Sequence, residues 1–335
     1  MARIAINGFG RIGRSFFRAT HGLPGFEIVA VNDLTDAGTL AYLLKFDSVY
    51  GRYGRMVNAA DTAIVVDDLA IPVFAEKDPV KLPWAKLGVD VVIEATGFFT
   101  SAEKAKAHLD AGAKRVVITA PAKGDVVTAL VGVNDDRFAN AGPMTANASC
   151  TTNSVAPIMA ILKESLGVTK AAMATVHGYT ATQKLVDGPD AKDLRRGRAA
   201  AANIVPSTTG AAEAVIQAIP ELKGKFDAIA IRVPTIAGSL SIITALVARA
   251  TTAEEVNGIF EKAAENPRWK KTVKVTDVPL VSTDIIGEPF GAIVDAGLTR
   301  VTDGNLVQVY SWYDNEAGYT ATLIEHMRRV VSHSI

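Results

Sequence analysis

Three glycines, Gly8, Gly10 and Gly13, follow the short aliphatic segment 3–7 and precede a helix-like segment. A second aliphatic segment, 27–33, completes a strand–helix–strand unit and ends at Asp33, 20 residues after Gly13. In such a unit the glycines allow a tight turn, a close approach of the backbone to a pyrophosphate, and close helix–strand packing. Glycines in an ordinary loop would show the same spacing, but the flanking elements favour a parallel α/β fold that binds a dinucleotide.

Asp33 also predicts which dinucleotide binds. Its carboxylate can accept hydrogen bonds from both hydroxyls of the adenine ribose of NAD. The 2′-phosphate of NADP would be repelled by Asp33 and by Asp36, and no lysine or arginine lies between Asp33 and Leu44 to offset that charge. We therefore predict that the cofactor is NAD.

Two further aliphatic runs, 90–97 and 115–120, are typical of strands buried on both faces of a parallel sheet, and a helix is predicted between them. Thr96 and Thr119 lie at the carboxyl ends of these runs. They are expected at the same edge of the sheet as the glycine turn, where cofactors bind. Either these threonines contact the cofactor, or they only end the strands.

Cys150 is the only cysteine in 335 residues, and the segment that follows it is predicted to form an apolar-faced helix. Free N–H groups and the dipole at a helix N-terminus favour a thiolate, so we expect this thiol to lose its proton more easily. Pro157 is expected in the first two turns of the helix, where its missing N–H is tolerated. The alternative is an inert, buried cysteine, but the small polar neighbours of Cys150 argue against it.

After Cys150 the pattern changes from alternating strands and helices to long aliphatic or amphipathic strands. This change predicts a second domain with a mixed, largely antiparallel sheet and helices on one face, following a Rossmann-type doubly wound domain. The predicted strands are 170–176, 228–233, 241–249, 292–298 and 306–313, and the predicted helices are 209–218 and 253–266.

His177 follows the first of these strands and opens an irregular segment that extends to residue 207. Beside Cys150 it could act as a base, although a histidine at a strand end is often only a hydrogen-bonded structural residue. The irregular segment carries a basic cluster of Lys192, Arg195, Arg196 and Arg198. Without interleaved aromatic residues, this cluster indicates anion binding or a subunit contact rather than nucleic-acid binding.

Composition excludes several classes of function. Lys+Arg and Asp+Glu both number 35, so no net charge attracts the chain to nucleic acid or to an anionic membrane. A single cysteine excludes an intrachain disulfide, and the scattered histidines show no metal-ligand spacing. The first residues read as a strand rather than a signal peptide, and no uncharged run is long enough to span a bilayer. We therefore expect a cytoplasmic protein with a small-molecule partner and no metal.

Six segments in order along nearly the whole chain closely resemble the phosphorylating glyceraldehyde-3-phosphate dehydrogenases. They are residues 6–14, 147–153, 177–180, 206–211, 232–235 and 312–316. The resemblance implies an NAD-binding domain at 1–149, a catalytic domain at 150–315 and a C-terminal segment, 316–335, whose helix at 321–331 packs back on the first domain. It also implies a homotetramer.

The resemblance further implies a role in glycolysis or gluconeogenesis. Cys150 would attack glyceraldehyde 3-phosphate to give a thiohemiacetal, His177 would assist hydride transfer to NAD, and inorganic phosphate would release 1,3-bisphosphoglycerate from the thioester. By similarity the substrate phosphate would bind Thr180 and Arg232, and the attacking phosphate Ser149, Thr151, Arg195, Thr209 and Gly210. Arg11 and Ile12 would bind the pyrophosphate, Asp33 the adenine ribose and Asn315 the nicotinamide carboxamide.

Two alternatives are compatible with the same residues. One is an erythrose-4-phosphate dehydrogenase, a relative on the same scaffold whose acyl-enzyme is hydrolysed by water. The other is an NAD- or RNA-binding protein with a role in contact rather than catalysis, against which Cys150, His177 and the neutral net charge argue.

Overall fold

The computed structural model describes residues 1–191 and 193–332, so Lys192 and the last three residues of the predicted C-terminal segment lie outside the described residues. The chain forms two compact units. Unit 1 comprises Met1–Ala129, Asp136–Ala148 and the end of the chain from Leu323, and unit 2 comprises Leu130–Asp135 and Ser149–Thr322. The main boundaries, after residues 148 and 322, lie one residue before and seven residues after those predicted from the sequence.

Unit 1 is built on one large sheet with helices beside its strands. The strands are β1 (Ala2–Asn7), β2 (Phe26–Asn32), β3 (Val57–Ala60), β4 (Ala63–Val66), β5 (Leu69–Phe74), β6 (Val91–Glu94), β7 (Arg115–Ile118), β8 (Val127–Thr128) and β9 (Met144–Ala146). The helices are α1 (Arg11–Thr20), α2 (Ala37–Lys45), α3 (Ala102–Asp110) and α4 (Asp136–Ala139), with a 3₁₀ turn at Pro79–Lys81.

The strand order in this sheet is β3-β4-β5-β2-β1-β6-β7-β9-β8. The strands from β5 to β8 pair in parallel, and only β3, β4 and β5 pair with one another in antiparallel fashion. This arrangement confirms the predicted Rossmann-type domain. The antiparallel edge formed by β3 and β4 was not predicted.

The glycine turn between β1 and α1 shows why these positions exclude side chains. Gly8 has a φ of +92°, and a Cβ atom on it would lie 2.7 Å from the backbone of Ala95 and Thr96. A Cβ atom on Gly13 would lie 2.2 Å from the carbonyl oxygen of Gly8. Close packing of the first helix turn on the strands therefore depends on glycine at both positions.

Unit 2 contains a mixed, largely antiparallel sheet in the order β11-β12-β10-β13-β17-β15-β14, with β16 paired to β17. Its strands are β10 (Val168–Gly178), β11 (Val205–Ser207), β12 (Phe226–Val233), β13 (Ser239–Val247), β14 (Val273–Thr276), β15 (Ala292–Asp295), β16 (Arg300–Thr302) and β17 (Leu306–Tyr313). Its helices are α5 (Cys150–Leu166), α6 (Ala211–Ala218) and α7 (Ala253–Glu265), with 3₁₀ turns at Leu194–Gly197, Pro220–Leu222 and Ala296–Leu298. The predicted fold class is confirmed, although the strand predicted at 292–298 ends at Asp295.

Helix α5 begins at Cys150, as predicted, because the side chain of Ser149 caps it by accepting a hydrogen bond from the N–H of Thr152. Pro157 is the eighth residue of this helix and not within its first two turns, so that expectation is wrong. The proline cannot donate to the carbonyl of Asn153, yet the helix continues because nearly all of its residues are buried. Ser154 allows close packing on the sheet, with its Oγ 3.2 Å from Oγ of Ser241.

The last helix, α8 (Ala317–Ser332), supplies its residues from 323 onward to unit 1. There the fully buried His326 ring lies with Nε2 2.7 Å from Oγ1 of Thr145 and Nδ1 3.0 Å from the carbonyl oxygen of Ala129. Since a carbonyl only accepts, Nδ1 donates and Nε2 accepts. Burial lowers the pKa of His326 from 6.5 to about 4, so the ring stays neutral at neutral pH.

No helix in the described ranges, 1–191 and 193–332, is long and apolar enough to cross a bilayer.

The buried His326 predicts an acid sensitivity of unit 1. Its pKa is lower when folded than when unfolded, so its stabilising effect is complete above about pH 6.5 and is lost as the pH falls toward about 4. The full loss is on the order of 3 kcal/mol. We expect His326→Gln, which retains one donor and one acceptor, to flatten the decline of the melting temperature over this range.

The matched control is His21→Gln, because His21 is only partly buried and its pKa is lowered in the same direction. His21→Gln should change the decline of the melting temperature with falling pH less than His326→Gln does. Identical slopes for wild type and His326→Gln would contradict the prediction.

Candidate active site

A cavity of about 600 Å³ opens in unit 1 at the carboxyl ends of β1, β2 and β6. It brings together four residues predicted to bind the cofactor, namely Gly8, Gly10, Asp33 and Thr96. The first three residues of α1 are Arg11, Ile12 and Gly13, and they directly follow Gly10, which lines the cavity. Thr119 follows β7, where its hydroxyl donates to the carbonyl oxygen of Glu94.

The walls of this cavity fit a dinucleotide. A Cβ atom on Gly10 would meet no protein atom within 4 Å, so the backbone at the start of α1 is open to a ligand. The carboxylate of Asp33 is held by the N–H groups of Phe9 and Thr35, at 2.7 and 3.0 Å, and each oxygen keeps a second lone pair for a ribose hydroxyl. Exposed Leu34 and Phe98 supply apolar faces for a base, and sequence patterns gave no sign of them.

In unit 2 the structure brings Cys150 and His177 together. Cys150 occupies the first position of α5 and His177 lies near the end of β10, and Sγ lies 3.4 Å from Nε2. His177 is buried, with 2% of its surface exposed, whereas Cys150 remains partly exposed. The distance suits proton transfer between thiol and imidazole.

The other ring nitrogen of the imidazole, Nδ1, meets Arg232, which lies opposite His177 in the parallel pairing of β10 and β12. Nη1 of Arg232 is 2.6 Å from Nδ1 of His177, and both groups approach the carbonyl oxygen of Gly178, at 3.2 and 2.6 Å respectively. Nδ1 either donates to this carbonyl or accepts from the guanidinium. Only the first arrangement leaves Nε2 free to accept a proton from Cys150.

The charge state of the pair differs from the sequence-based expectation. Burial raises the pKa of the Cys150 thiol above its ordinary value of 9.0, and the charge of Arg232 and hydrogen bonds from Thr151 oppose this effect without overcoming it. Burial, and then the charge of Arg232, lowers the pKa of His177 from 6.5 to about 3. The helix terminus does favour the thiolate, but desolvation is larger, so burial opposes an ion pair in the unliganded protein.

Tyr313 is a member of this site that sequence patterns did not reveal. Its hydroxyl lies 3.0 Å from Oγ1 of Thr151 and 2.7 Å from Oγ1 of Thr175, and its ring meets the ring of His177 edge to face at 5.9 Å. The hydroxyl of Thr151, predicted as a phosphate ligand, is therefore engaged inside the protein. Tyr313 fixes the imidazole and the first turn of α5 relative to each other.

The residues predicted to bind phosphate lie on several loops of unit 2. Ser149 caps α5, Thr209 and Gly210 precede α6, and Thr180 pairs with Thr182 at 3.0 Å between hydroxyl oxygens. Arg195 is exposed on a 3₁₀ turn.

Its neighbour Arg196 contacts the loop that precedes α6. The guanidinium of Arg196 donates to the carbonyl oxygen of Thr208 at 3.0 Å and is near enough to Arg232 for their charges to interact. Among the described arginines of the basic cluster, Arg196 is the one whose charge lowers the pKa of Arg232.

Asn315 follows β17 and is nearly buried. Its Oδ1 accepts a hydrogen bond from the hydroxyl of Ser239 at 3.1 Å, and the same hydroxyl accepts from the N–H of Gly178 at 3.3 Å. The amide of Asn315 is therefore oriented by the strand end that carries His177.

Comparison with known proteins identifies relatives of both units. Residues 2–102 match the family described as "Glyceraldehyde 3-phosphate dehydrogenase, NAD binding domain", and residues 149–315 match "Glyceraldehyde 3-phosphate dehydrogenase, C-terminal domain". The chain is 52% identical over 327 residues to glyceraldehyde-3-phosphate dehydrogenase of Thermotoga maritima, covering 97% of this chain and 98% of the relative. It is 50% identical over 331 residues to the protein of that name from Mycolicibacterium smegmatis and 49% identical over 330 residues to that from Mycobacterium avium, covering 96% of each chain.

The shifted pKa values of Cys150 and His177 predict how the unliganded protein reacts with iodoacetamide. Because the thiol pKa is raised, the alkylation rate should climb steadily from about pH 6 to about pH 10 rather than level off near neutrality. Arg232→Gln removes a charge that opposes this shift, so alkylation at about pH 8 should slow by roughly three- to tenfold.

Arg249→Gln is the control, because it removes an exposed arginine paired with Glu255 elsewhere in unit 2. Its rate should match wild type. A plateau at neutral pH would show that the pair is an ion pair, contrary to this prediction.

Proposed function

Because this chain belongs to the glyceraldehyde-3-phosphate dehydrogenase family, we propose that it oxidises glyceraldehyde 3-phosphate with NAD and phosphate to give 1,3-bisphosphoglycerate. The observation that carries the proposal is the contact of 3.4 Å between Sγ of Cys150 and Nε2 of His177 at the start of a buried helix. A thiol and a base in contact are what a covalent oxidation of an aldehyde requires.

The first step forms a bond between Sγ of Cys150 and the aldehyde carbon. The thiol proton moves to Nε2 of His177 as the carbon–sulfur bond forms, and the imidazolium returns it to the new oxyanion to complete a thiohemiacetal. Since burial disfavours charge on both groups, the reaction develops charge against desolvation. The adjacent cation of Arg232 then stabilises the sulfur and the oxyanion electrostatically.

In the second step His177 takes the hydroxyl proton of the thiohemiacetal while hydride leaves its carbon. NAD, when bound, supplies the hydride acceptor at its nicotinamide ring. The product is a thioester on Cys150. An oxygen of inorganic phosphate then attacks the thioester carbonyl, the carbon–sulfur bond breaks, and the sulfur regains its proton from His177.

The reaction needs positions for two phosphate groups. We assign the substrate phosphate to Arg232 and Thr180, and the attacking phosphate to Ser149, Thr209, Gly210 and the N–H of Thr151. For the attacking phosphate we prefer Arg196 to the predicted Arg195, since the guanidinium of Arg196 contacts Thr208, next to Thr209, whereas Arg195 is exposed. Guanidinium groups and backbone N–H groups are the preferred ligands of phosphate.

The proposal includes a homotetramer in the cytoplasm. Leu185, Val186, Leu194 and Ile204 in the irregular segment after His177 are between 71% and 85% exposed. Large apolar side chains exposed together support an interface with another copy of the chain. A reduced free thiol at Cys150 suits a reducing compartment.

The first test follows NADH formation with glyceraldehyde 3-phosphate, with and without inorganic phosphate. We expect steady turnover only with phosphate, and Cys150→Ala should lower it by about 10³-fold or more because the covalent path is lost. Arg249→Gln, which alters an exposed ion pair, should behave as wild type. Normal turnover by Cys150→Ala would rule out the covalent mechanism, and phosphate-independent turnover of erythrose 4-phosphate would favour the hydrolytic relative.

The second test concerns the cofactor. Asp33→Asn keeps the size of the side chain but removes the charge that would repel a 2′-phosphate, whereas Asp33→Ala removes both the charge and the ribose acceptor. We expect both variants to relax discrimination against NADP, measured as the ratio of kcat/KM for the two cofactors, and only the alanine variant to lose NAD affinity strongly. An unchanged ratio in both variants would place the selectivity elsewhere.

A further inference from the structure

A buried polar network lies directly behind the cofactor cavity of unit 1. Its centre is Glu94, the last residue of β6, with 1% of its surface exposed, and beside it is His108 of α3, which is fully buried. Neither residue belongs to the catalytic pair of unit 2. A buried carboxylate costs free energy unless it is well hydrogen-bonded, so its partners indicate its role.

Four donors converge on the carboxylate of Glu94. Oε2 accepts from Nδ2 of Asn7 at 2.6 Å and from Nε2 of His108 at 3.0 Å. Oε1 accepts from the N–H of Thr96 at 2.9 Å and from the hydroxyl of the same residue. Asn7 and Thr96 both line the cavity, so Glu94 holds two of its lining residues in place.

The orientation of Asn7 is fixed from the side of the cavity. The backbone N–H of Glu76 donates to Oδ1 of Asn32 at 2.9 Å, and Nδ2 of Asn32 donates to the carbonyl oxygen of Glu76 at 3.0 Å. Asn32 can therefore only donate to Asn7, and it does so at 2.6 Å to Oδ1. This leaves Nδ2 of Asn7 facing Glu94 as a donor.

The orientation of His108 is fixed from the core. Nε1 of Trp84 lies 3.1 Å from Nδ1 of His108, and an indole nitrogen only donates. Nδ1 must then accept, so the ring proton is on Nε2 and points at Glu94. The approach of 3.3 Å between Nδ2 of Asn7 and Nε2 of His108 follows from two donors sharing one oxygen.

We propose that Glu94 is a positioning residue for the dinucleotide, because it is the acceptor at which two hydrogen-bond chains of fixed direction meet. One chain begins at the backbone of Glu76 and the other at the indole of Trp84. Only an ionised carboxylate can accept from every donor, and in doing so it holds Asn7, Asn32 and Thr96 in place along the cavity. The inference rests on the proposal that this cavity takes NAD.

The central variant is Glu94→Gln, which keeps the shape but turns half of the acceptor into a donor. In either orientation of the new amide, at least one donor that cannot turn round, the backbone N–H of Thr96 or Nδ2 of Asn7, meets an N–H group. We expect the Kd for NAD, measured by calorimetry on the full-length protein without substrate, to rise about tenfold. His326→Gln is the matched control, because it alters a buried polar side chain in the same unit that does not line the cavity.

A second variant separates positioning from simple loss of stability. In Glu94→Gln the ring of His108 cannot exchange its tautomer to accept from the new amide, because Nδ1–H would then face the indole N–H of Trp84. Trp84→Phe removes that obstacle. The double variant should therefore bind NAD at least about threefold more tightly than the two single effects combined would give.

Nitrogen NMR provides a readout independent of activity. The proton of His108 should be on Nε2 in wild type and on Nδ1 in the double variant, with the signals assigned by means of His108→Gln.

The outcomes distinguish this inference from the proposed function. Failure of wild type to bind NAD would overturn both. Binding by wild type with an unchanged Kd in Glu94→Gln would overturn the inference alone, as would an equal loss of affinity in His326→Gln. Strictly additive effects of the two substitutions, with the proton of His108 remaining on Nε2, would also overturn it.

Discussion

Desolvation of the contact between Cys150 and His177 is the constraint on which the site in unit 2 depends. The two residues are 27 positions apart, and their atoms meet because one begins a buried helix while the other ends a strand beneath it. Burial raises the pKa of the thiol and lowers that of the imidazole, so it opposes charge on both. Arg232 acts unequally on the pair, since its cation favours a thiolate but disfavours an imidazolium. An anionic substrate that neutralises Arg232 would remove both effects, and the state of the pair then depends on what is bound.

Sequence reasoning was most successful where a local pattern has a single structural solution. The spacing of Gly8, Gly10 and Gly13 admits few conformations between a strand and a helix, and the structure shows backbone contacts that only glycine permits at Gly8 and Gly13. The start of α5 was predicted from the apolar-faced segment that follows Cys150, and the structure adds the cap: the hydroxyl of Ser149 accepts from an N–H of the first turn. The antiparallel edge formed by β3 and β4 was missed, since short strands carry little periodicity.

The parts of the site that could not be predicted depend on contacts between distant segments. Tyr313 joins Thr151 and Thr175 across 162 and 138 residues, and no spacing in the chain signals such a contact. The same limit explains the basic cluster: neighbouring arginines are equivalent in sequence, and only the structure shows that Arg196 donates to the carbonyl oxygen of Thr208 while Arg195 is exposed. The raised pKa of Cys150 was not foreseen for a related reason: a helix terminus is visible in sequence, but the desolvation of Sγ by distant segments is not.

The buried polar clusters around Glu94 and His177 differ in how firmly the directions of their hydrogen bonds are fixed. Around Glu94 the side chains of Asn7 and His108 have their directions set by groups that cannot change, the backbone of Glu76 for Asn7 and the donor-only indole of Trp84 for His108, so the geometry is rigid. Around His177 the partners leave a choice, because Nδ1 faces both a carbonyl oxygen and a guanidinium at 2.6 Å. A proton can therefore move at His177 but has no alternative position at His108. A rigid network suits residues that hold a ligand, and an adjustable one suits a residue that must gain and lose a proton during turnover.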